Sequence, residues 1–253
     1  MVQSYQLGDV IVESLQITSS RGLLDLSQSF VSMSIYESIF TPGIVCDITV
    51  LDTKDLLGTL KISGDEVVVI TIYVLGSVRA TYYFALHKLA DLQVTSGQQK
   101  SKQYLLMCVS EEAMYAKTNY VQKSYNALCS DMIKDLHKNY LNSQKELIVE
   151  DTQGPQKVLI PHKNPYEAIN LVKARSVSEN NKSSSYIFFE NRPAELQQFN
   201  FVTIESLFSQ SVTKDFQQSS AINTSIFNRT DNNIISYTVP KQFSSIEKIT
   251  LGG

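Results

Sequence analysis

The stretch Tyr36–Val74, YESIFTPGIVCDITVLDTKDLLGTLKISGDEVVVITIYV, carries two extended apolar runs. In the first, Ile44, Cys46, Ile48 and Val50 alternate with Val45, Asp47, Thr49 and Leu51. Successive side chains of a strand point to opposite faces, so the first four form one apolar face. The second run, Val67–Val74, is almost wholly β-branched and loses little by being extended. Its two faces are both apolar, which points to burial on both sides, against a core on one and a neighbouring subunit on the other. Thr41-Pro42-Gly43 and Ser63-Gly64-Asp65 supply a turn before each run. Asp52 is placed to cap a short helical turn that presents Leu56 and Leu57 to the sheet.

Outward from that stretch the same pattern continues. Val10, Val12, Leu15 and Ile17 begin a strand, and Arg21-Gly22 opens a turn. Asp25–Tyr36 places Leu26, Phe30, Met33 and Ile35 in rough alternation. Tyr82–Leu92 and Tyr104–Val109 read as further strands on either side of a polar loop, Val94–Lys102. Many short strands with turns between them point to a β-barrel or sandwich over residues 1–112.

The period then changes. Val121, Tyr125, Leu128, Met132 and Leu136 recur at helical spacing, and Cys129, Ile133 and Tyr140 widen the stripe. This predicts one helix over Asn119–Leu141, capped by Thr118 or Asn119. Residues 142–163 read as a linker around Gly154-Pro155. Asn164-Pro165-Tyr166-Glu167 opens a second helix, with Asn164 as cap, Pro165 at the first helical position and Glu167 reaching back to the cap. Ala168, Ile169 and Val172 form its buried side, and it ends near Arg175 or Ser176. Tyr186–Phe189 and Phe199–Ile204 make a hairpin, and Glu205–Phe208 one helical turn. From Ser209 the chain is polar, apart from Ile234, Ile235, Tyr237 and Val239, and cannot bury enough apolar surface to fold alone. The fold class is therefore α+β, mainly β. An N-terminal barrel or sandwich spans 1–112, an α+β domain of two helices and a hairpin spans 113–208, and 209–253 begins a further domain or an extended tail.

The chemistry-bearing residues point away from catalysis. A formal charge of −3 argues against a nucleic-acid binder, which carries a basic excess. Cys46, Cys108 and Cys129 are isolated and read as small core hydrophobes. The most apolar run, Val67–Leu75, is far short of the roughly 20 residues of a spanning helix, and the start of the chain lacks a basic-then-apolar leader pattern. His87, His137 and His162 fall in three predicted elements without metal-ligand spacing, and His137 sits where a cation suits a helix C-terminus. The carboxylate pairs Asp65-Glu66, Glu111-Glu112 and Glu150-Asp151 read as solvated turn charges rather than a glycosidase-type pair. The glycines are scattered singly, so no phosphate-cradling loop is present. No catalytic, cofactor-binding or metal-binding residue is singled out.

Three segments together resemble one family. They are Tyr36-Glu37-Ser38-Ile39-Phe40-Thr41-Pro42-Gly43 with the strand that follows; Ile160-Pro161-His162-Lys163-Asn164-Pro165-Tyr166-Glu167-Ala168-Ile169; and Tyr186-Ile187-Phe188-Phe189-Glu190-Asn191 leading to Phe201 and Ile204-Glu205-Ser206-Leu207. In order and spacing, over most of residues 25 to 210, they resemble the baseplate central hub proteins of contractile-tailed, T4-like bacteriophages. The resemblance implies a tail-tube-like β-barrel at 1–112, a smaller inserted domain at 113–208 and the start of a second tube-like domain at 209–253. It implies a homotrimer that joins the sixfold tail tube to the threefold central spike. The implied partners are tube or tube-initiator proteins, the spike and the surrounding baseplate wedge proteins, with DNA passing through the lumen without specific binding. It implies a virion location in the baseplate, assembly in the host cytoplasm, no cofactor, no enzyme activity and no membrane insertion. The chain stops where the second barrel has barely begun, which points to truncation.

Two other readings stand beside it. A tail-associated cell-wall hydrolase would use acids such as Glu150 or Asp151. A carbohydrate- or receptor-binding β-module would draw on the tyrosines.

Overall fold

The computed structural model describes residues 10–20, 22–53, 64–74, 79–95, 101–193, 197–212, 217–218 and 233–234. The chain divides into two compact units, Met1–Gln210 and Ser211–Gly253.

The first unit opens with seven strands in one antiparallel sheet: β1 (Val10–Ser19), β2 (Gly22–Asp25), β3 (Phe30–Tyr36), β4 (Val45–Asp52), β5 (Val67–Val74), β6 (Arg79–Thr95) and β7 (Ser101–Val109). Their spatial order is β2-β1-β5-β6-β7-β4-β3. The alternation read in the sequence sets which side faces in. Ile44, Cys46, Ile48 and Val50 are fully buried, as are Val68 and Ile70 on β5, Phe84 on β6, and Leu106 and Cys108 on β7. This core is built from the sheet's own strands and turns, including Leu26 in the turn between β2 and β3. A sheet that buries one face against itself must curl.

The topology gives the curl a second cause. The two outermost strands, β2 and β3, are successive in the chain and separated only by residues 26–29. So short a link holds the sheet's ends within about 18 Å of each other. It is also stitched on both sides: Leu26 N donates to Leu15 O on β1 at 2.8 Å, and Leu51 N on β4 donates to Ser29 O at 2.8 Å. The barrel expected from the sequence is thus present as a curled sheet but not as a closed ladder, since β2 and β3 do not pair among the described residues. The single strand predicted over Asp25–Tyr36 is broken at this corner.

The two faces of β5 differ within the single chain. Val67 and Val69 are half-buried, whereas Val68 and Ile70 on the inner side are sealed. The capped turn at Leu56 and Leu57 lies outside the described residues. Asp52 itself ends β4, fully buried, and accepts a hydrogen bond from Tyr104 Oη at 3.3 Å.

A second core follows. Its elements are α1 (Glu111–Thr118), β8 (Val121–Ala127), α2 (Cys129–Asp135), β9 (Glu146–Val149), β10 (Gln156–Lys163), α3 (Pro165–Lys173), β11 (Tyr186–Asn191), β12 (Gln198–Thr203) and α4 (Ile204–Phe208). Strands β8 and β10 form an antiparallel pair; β11, β12 and β9 form a three-stranded sheet with β12 in the middle. Phe188, Phe199, Phe201, Met132, Ile133, Ile160, Ile169 and Val172 pack at its centre.

Here the sequence reading needs three corrections. The helix predicted over Asn119–Leu141 is a strand, β8, followed by α2 and a π-turn at Leu136–Tyr140. Val121 and Tyr125 are four apart, a spacing that shares one face in a helix and in a strand alike, so period alone misread them. The cap is Leu128, not Thr118 or Asn119. The linker predicted at 142–163 contains β9 and β10, which turn at Gly154 with φ +66°. Helix α1 has no counterpart in the sequence pattern, because Glu111–Thr118 shows no apolar stripe. By contrast, Asn164 caps α3 as read: its Oδ1 accepts the Glu167 N–H at 3.0 Å, with Pro165 at the first position. The predicted hairpin is β11–β12, paired from Tyr186↔Thr203 to Asn191↔Gln198.

In the second unit, β13 (Gln217–Gln218) pairs in parallel with β14 (Asn233–Ile234).

Candidate functional site

Three of the acids that the sequence presents as solvated turn charges are withdrawn from solvent wholly or in part. In each adjacent pair one carboxylate turns inward: Glu66 is 1% exposed, Glu112 is 5% exposed and Glu150 is half-buried. Asp65, Glu111 and Asp151 stay exposed. Of these, Glu112 belongs to the seam between the curled sheet and the second core.

Glu112 lies in the first turn of α1, where a carboxylate suits the helix dipole. Lys145, just before β9, reaches both Glu112 Oε2 and Glu190 Oε1 at 2.6 Å. Glu190 is on β11, and its side chain is wholly buried. Its second oxygen accepts the Ser110 hydroxyl and the Ile44 backbone N–H, the latter at 3.2 Å. Ile44 N also meets Ser110 Oγ at 2.8 Å, immediately before β4. Gln197 Nε2 donates to Glu190 Oε1 at 2.9 Å, while its Oε1 accepts from Tyr83 N on β6 at 3.4 Å. Ser143 Oγ donates to Glu112 Oε1 at 2.6 Å. One lysine, two carboxylates and their neutral donors thus join β4, β6, α1, β9, β11 and β12.

The electrostatics follow from burial. Desolvation drives the Glu190 carboxyl above its ordinary value, against the opposing pull of Lys145 and Ser110. For Lys145, desolvation favours the neutral amine, but the two carboxylates outweigh it and hold the ammonium above its usual range. For Glu190 the cost of burial exceeds the pull of its partner, whereas for Lys145 the attraction of the carboxylates exceeds the cost of burial. Gly43 belongs to this packing: a Cβ there would lie 3.2 Å from Ser110 Oγ and 3.8 Å from Glu190 Oε2.

A second tie lies beside the first. Arg192, at the end of β11, stacks its guanidinium 5.0 Å from the Tyr82 ring and donates to Arg79 O at 3.2 Å.

Glu150, the acid proposed for hydrolysis, is committed elsewhere. It accepts from Thr203 N at 2.8 Å, Ser206 Oγ at 2.7 Å and Ser178 Oγ at 2.5 Å, anchoring the start of α4 to β12. Burial raises its pKa, but the hydroxyl and amide donors of Ser178, Thr203 and Ser206 outweigh that and hold it below the ordinary carboxylate value. A general acid needs the opposite shift. A depressed folded-state pKa means stabilisation that is full at neutral pH and lost as pH falls below the ordinary carboxylate range. Glu150→Gln is therefore expected to lower the melting temperature near neutral pH and to converge on the parent as the medium becomes acidic enough to protonate Glu150 in the folded state; parallel melts across the acid range check it.

The histidines do not converge. His137 is buried in the π-turn, and desolvation holds it below its usual pKa, so it is not the helix-terminal cation expected from the sequence. His162 stacks on Tyr120 at 4.5 Å, and His87 lies exposed on β6 beside Lys117. Cys46, Cys108 and Cys129 are buried and unpaired. Among the described residues no three His, Cys, Asp or Glu side chains group as metal ligands, and no helix is long and apolar enough to cross a membrane.

The fold is a curled, mainly β sheet joined to a smaller α+β core. Two solved structures share it. One is the 43 kDa tail protein of prophage MuSo2 from Shewanella oneidensis, with TM-score 0.50 and 12% identity, over 82% of this chain and 59% of that one. The other is a tail protein from Neisseria meningitidis MC58, with TM-score 0.50 and 10% identity, over 83% of this chain and 56% of that one. The chain thus spans less than three fifths of the length of either. No family model matches it, and no curated protein does.

Proposed function

We propose that the chain is a structural hub protein of a contractile phage tail, a homotrimeric adaptor between the sixfold tail tube and the threefold central spike. Residues 1–112 are its first tube-like domain, 113–208 the inserted domain and 209–253 the beginning of a second tube-like domain. Tube or tube-initiator proteins, the spike and the baseplate wedges are its partners, and DNA passes its lumen unbound. It is a virion component of the baseplate, assembled in the host cytoplasm, and its role is architectural rather than enzymatic.

The observation that carries this reading is the fold shared with two tail proteins over more than four fifths of the chain. The seam supports it physically. An adaptor between partners of different symmetry has to hold its parts at fixed angles, and a buried, fully paired ion cluster is a directional way to do so. The commitment of Glu150 to α4 favours this role over cell-wall hydrolysis.

Native mass spectrometry of the purified chain is the test, with expected masses at three copies. A species that stays monomeric, alone and with tube and spike proteins, overturns the adaptor reading.

A further inference from the structure

We propose that a cleft on the outside of the curled sheet is a recognition site for a cationic side chain, arginine or lysine, carried by an extended segment of another protein. The cleft holds about 570 Å³ and lies between the outward face of β5–β6 and the N-terminal half of α1. That volume falls within the range of specific ligand sites. It accommodates one or two side chains and a short length of backbone, not a folded domain.

Its lining is aromatic and acidic together. Tyr83 from β6 and Tyr115 from α1 both face it, 49% and 47% exposed. Glu111 and Glu146 stand at its rim, exposed and in no ion pair among the described residues. Aromatic faces and carboxylates attract the same kind of ligand, a cation. The one cationic residue in the described lining, Lys145, is already held between Glu112 and Glu190, so it offers an incoming cation little repulsion. An anionic ligand meets the carboxylates of Glu111 and Glu146, which are in no ion pair among the described residues.

The backbone narrows the mode of binding. Strands β5 and β6 are interior and paired on both sides, so the partner cannot add to that sheet as a strand and is read there through its side chains. The inference stands on this cleft alone and does not depend on the tail reading.

The test is fluorescence anisotropy on the full chain with a labelled tetra-arginine amide, and a labelled tetraglutamate as the opposite charge. Tetra-arginine binds, more weakly as salt rises, and tetraglutamate does not. The double variant Glu111→Gln/Glu146→Gln binds at least tenfold more weakly, and Tyr115→Ala at least threefold. Asp131→Asn/Glu179→Gln, which removes two exposed acids outside the cleft, leaves binding unchanged. All four positions in the paired variants are exposed, so thermal melts coincide with the parent. No binding at millimolar peptide, equal binding of tetraglutamate, or equal losses in the two double variants overturns the proposal. None of these outcomes bears on the mass measurement, so the two readings fail separately.

Discussion

Lys145→Ala is expected to lower the stability of the chain by about 3–5 kcal/mol, the usual consequence of removing one member of a buried ion cluster. The size comes from what is left behind. Glu112 and Glu190 have side chains 6% and 0% exposed, and neither can recover the lost partner by moving into water. Ser143, Ser110 and Gln197 still donate to them, but neutral donors do not cancel two buried negative charges. The ammonium also lies 5.6 Å from the Phe199 ring, a contact that alanine gives up. Replacing the whole cluster, Lys145→Met with Glu112→Gln and Glu190→Gln, removes the stranded charges and is expected to recover much of the loss.

The pH dependence fixes the cause. In the parent, burial pushes the Glu190 carboxyl above its ordinary value and Lys145 pulls it back. Without Lys145 the folded-state value rises further above the unfolded one. A raised folded value means that the folded state holds the proton more tightly, so stability is regained as pH falls and lost as it rises. The deficit of Lys145→Ala should be greatest near about pH 7 to 8 and shrink towards about pH 5. Urea titrations at several pH values measure it directly. A loss below about 1 kcal/mol, or one independent of pH, would show that the seam is held by packing rather than by charge.

How much of this was legible in the sequence depends on the reach of each interaction. The inner face of β4 could be read because alternation is local, and Ile44, Cys46, Ile48 and Val50 are all sealed as their pattern implies. The cap of α3 was legible for the same reason: Asn164, Pro165 and Glu167 lie within four residues. The strand β8 was not, because Val121 and Tyr125 fit two periods and only pairing with β10 decides between them. The seam was least visible. Ser110, Lys145 and Glu190 are widely separated, and adjacent acids such as Glu111-Glu112 look identical in a sequence whether one is buried or neither. A signal was nonetheless present: Glu190 follows four apolar residues, Tyr186 to Phe189, in a strand too short to end in solvent on both faces.

Phe199→Ala carries the other large effect, about 3–5 kcal/mol, as for a buried aromatic that leaves a cavity. Phe199 is fully buried on the central strand of the three-stranded sheet. Its ring stacks on Phe188 at 5.3 Å and meets the edge of His137 at 5.2 Å. Its neighbours on β9 and β11 are pinned by ladder bonds, so the gap collapses little. The informative result is where stability is lost. The two cores share few apolar side chains and meet through polar ties, which permits one to open while the other stays folded. Native-state hydrogen exchange should therefore show β11 and β12 losing about 10²- to 10³-fold in protection, at about 1.4 kcal/mol per decade, while β4 and β7 lose far less. Leu106→Ala, in the centre of the curled sheet, should reverse the pattern. Equal losses throughout in both variants would mean that the seam transmits the full cost of either cavity, making sheet and second core a single cooperative unit. The Lys145 cluster is the only buried ionic link described between them, so in that case adding Lys145→Ala to Phe199→Ala should separate the two sets of amides again.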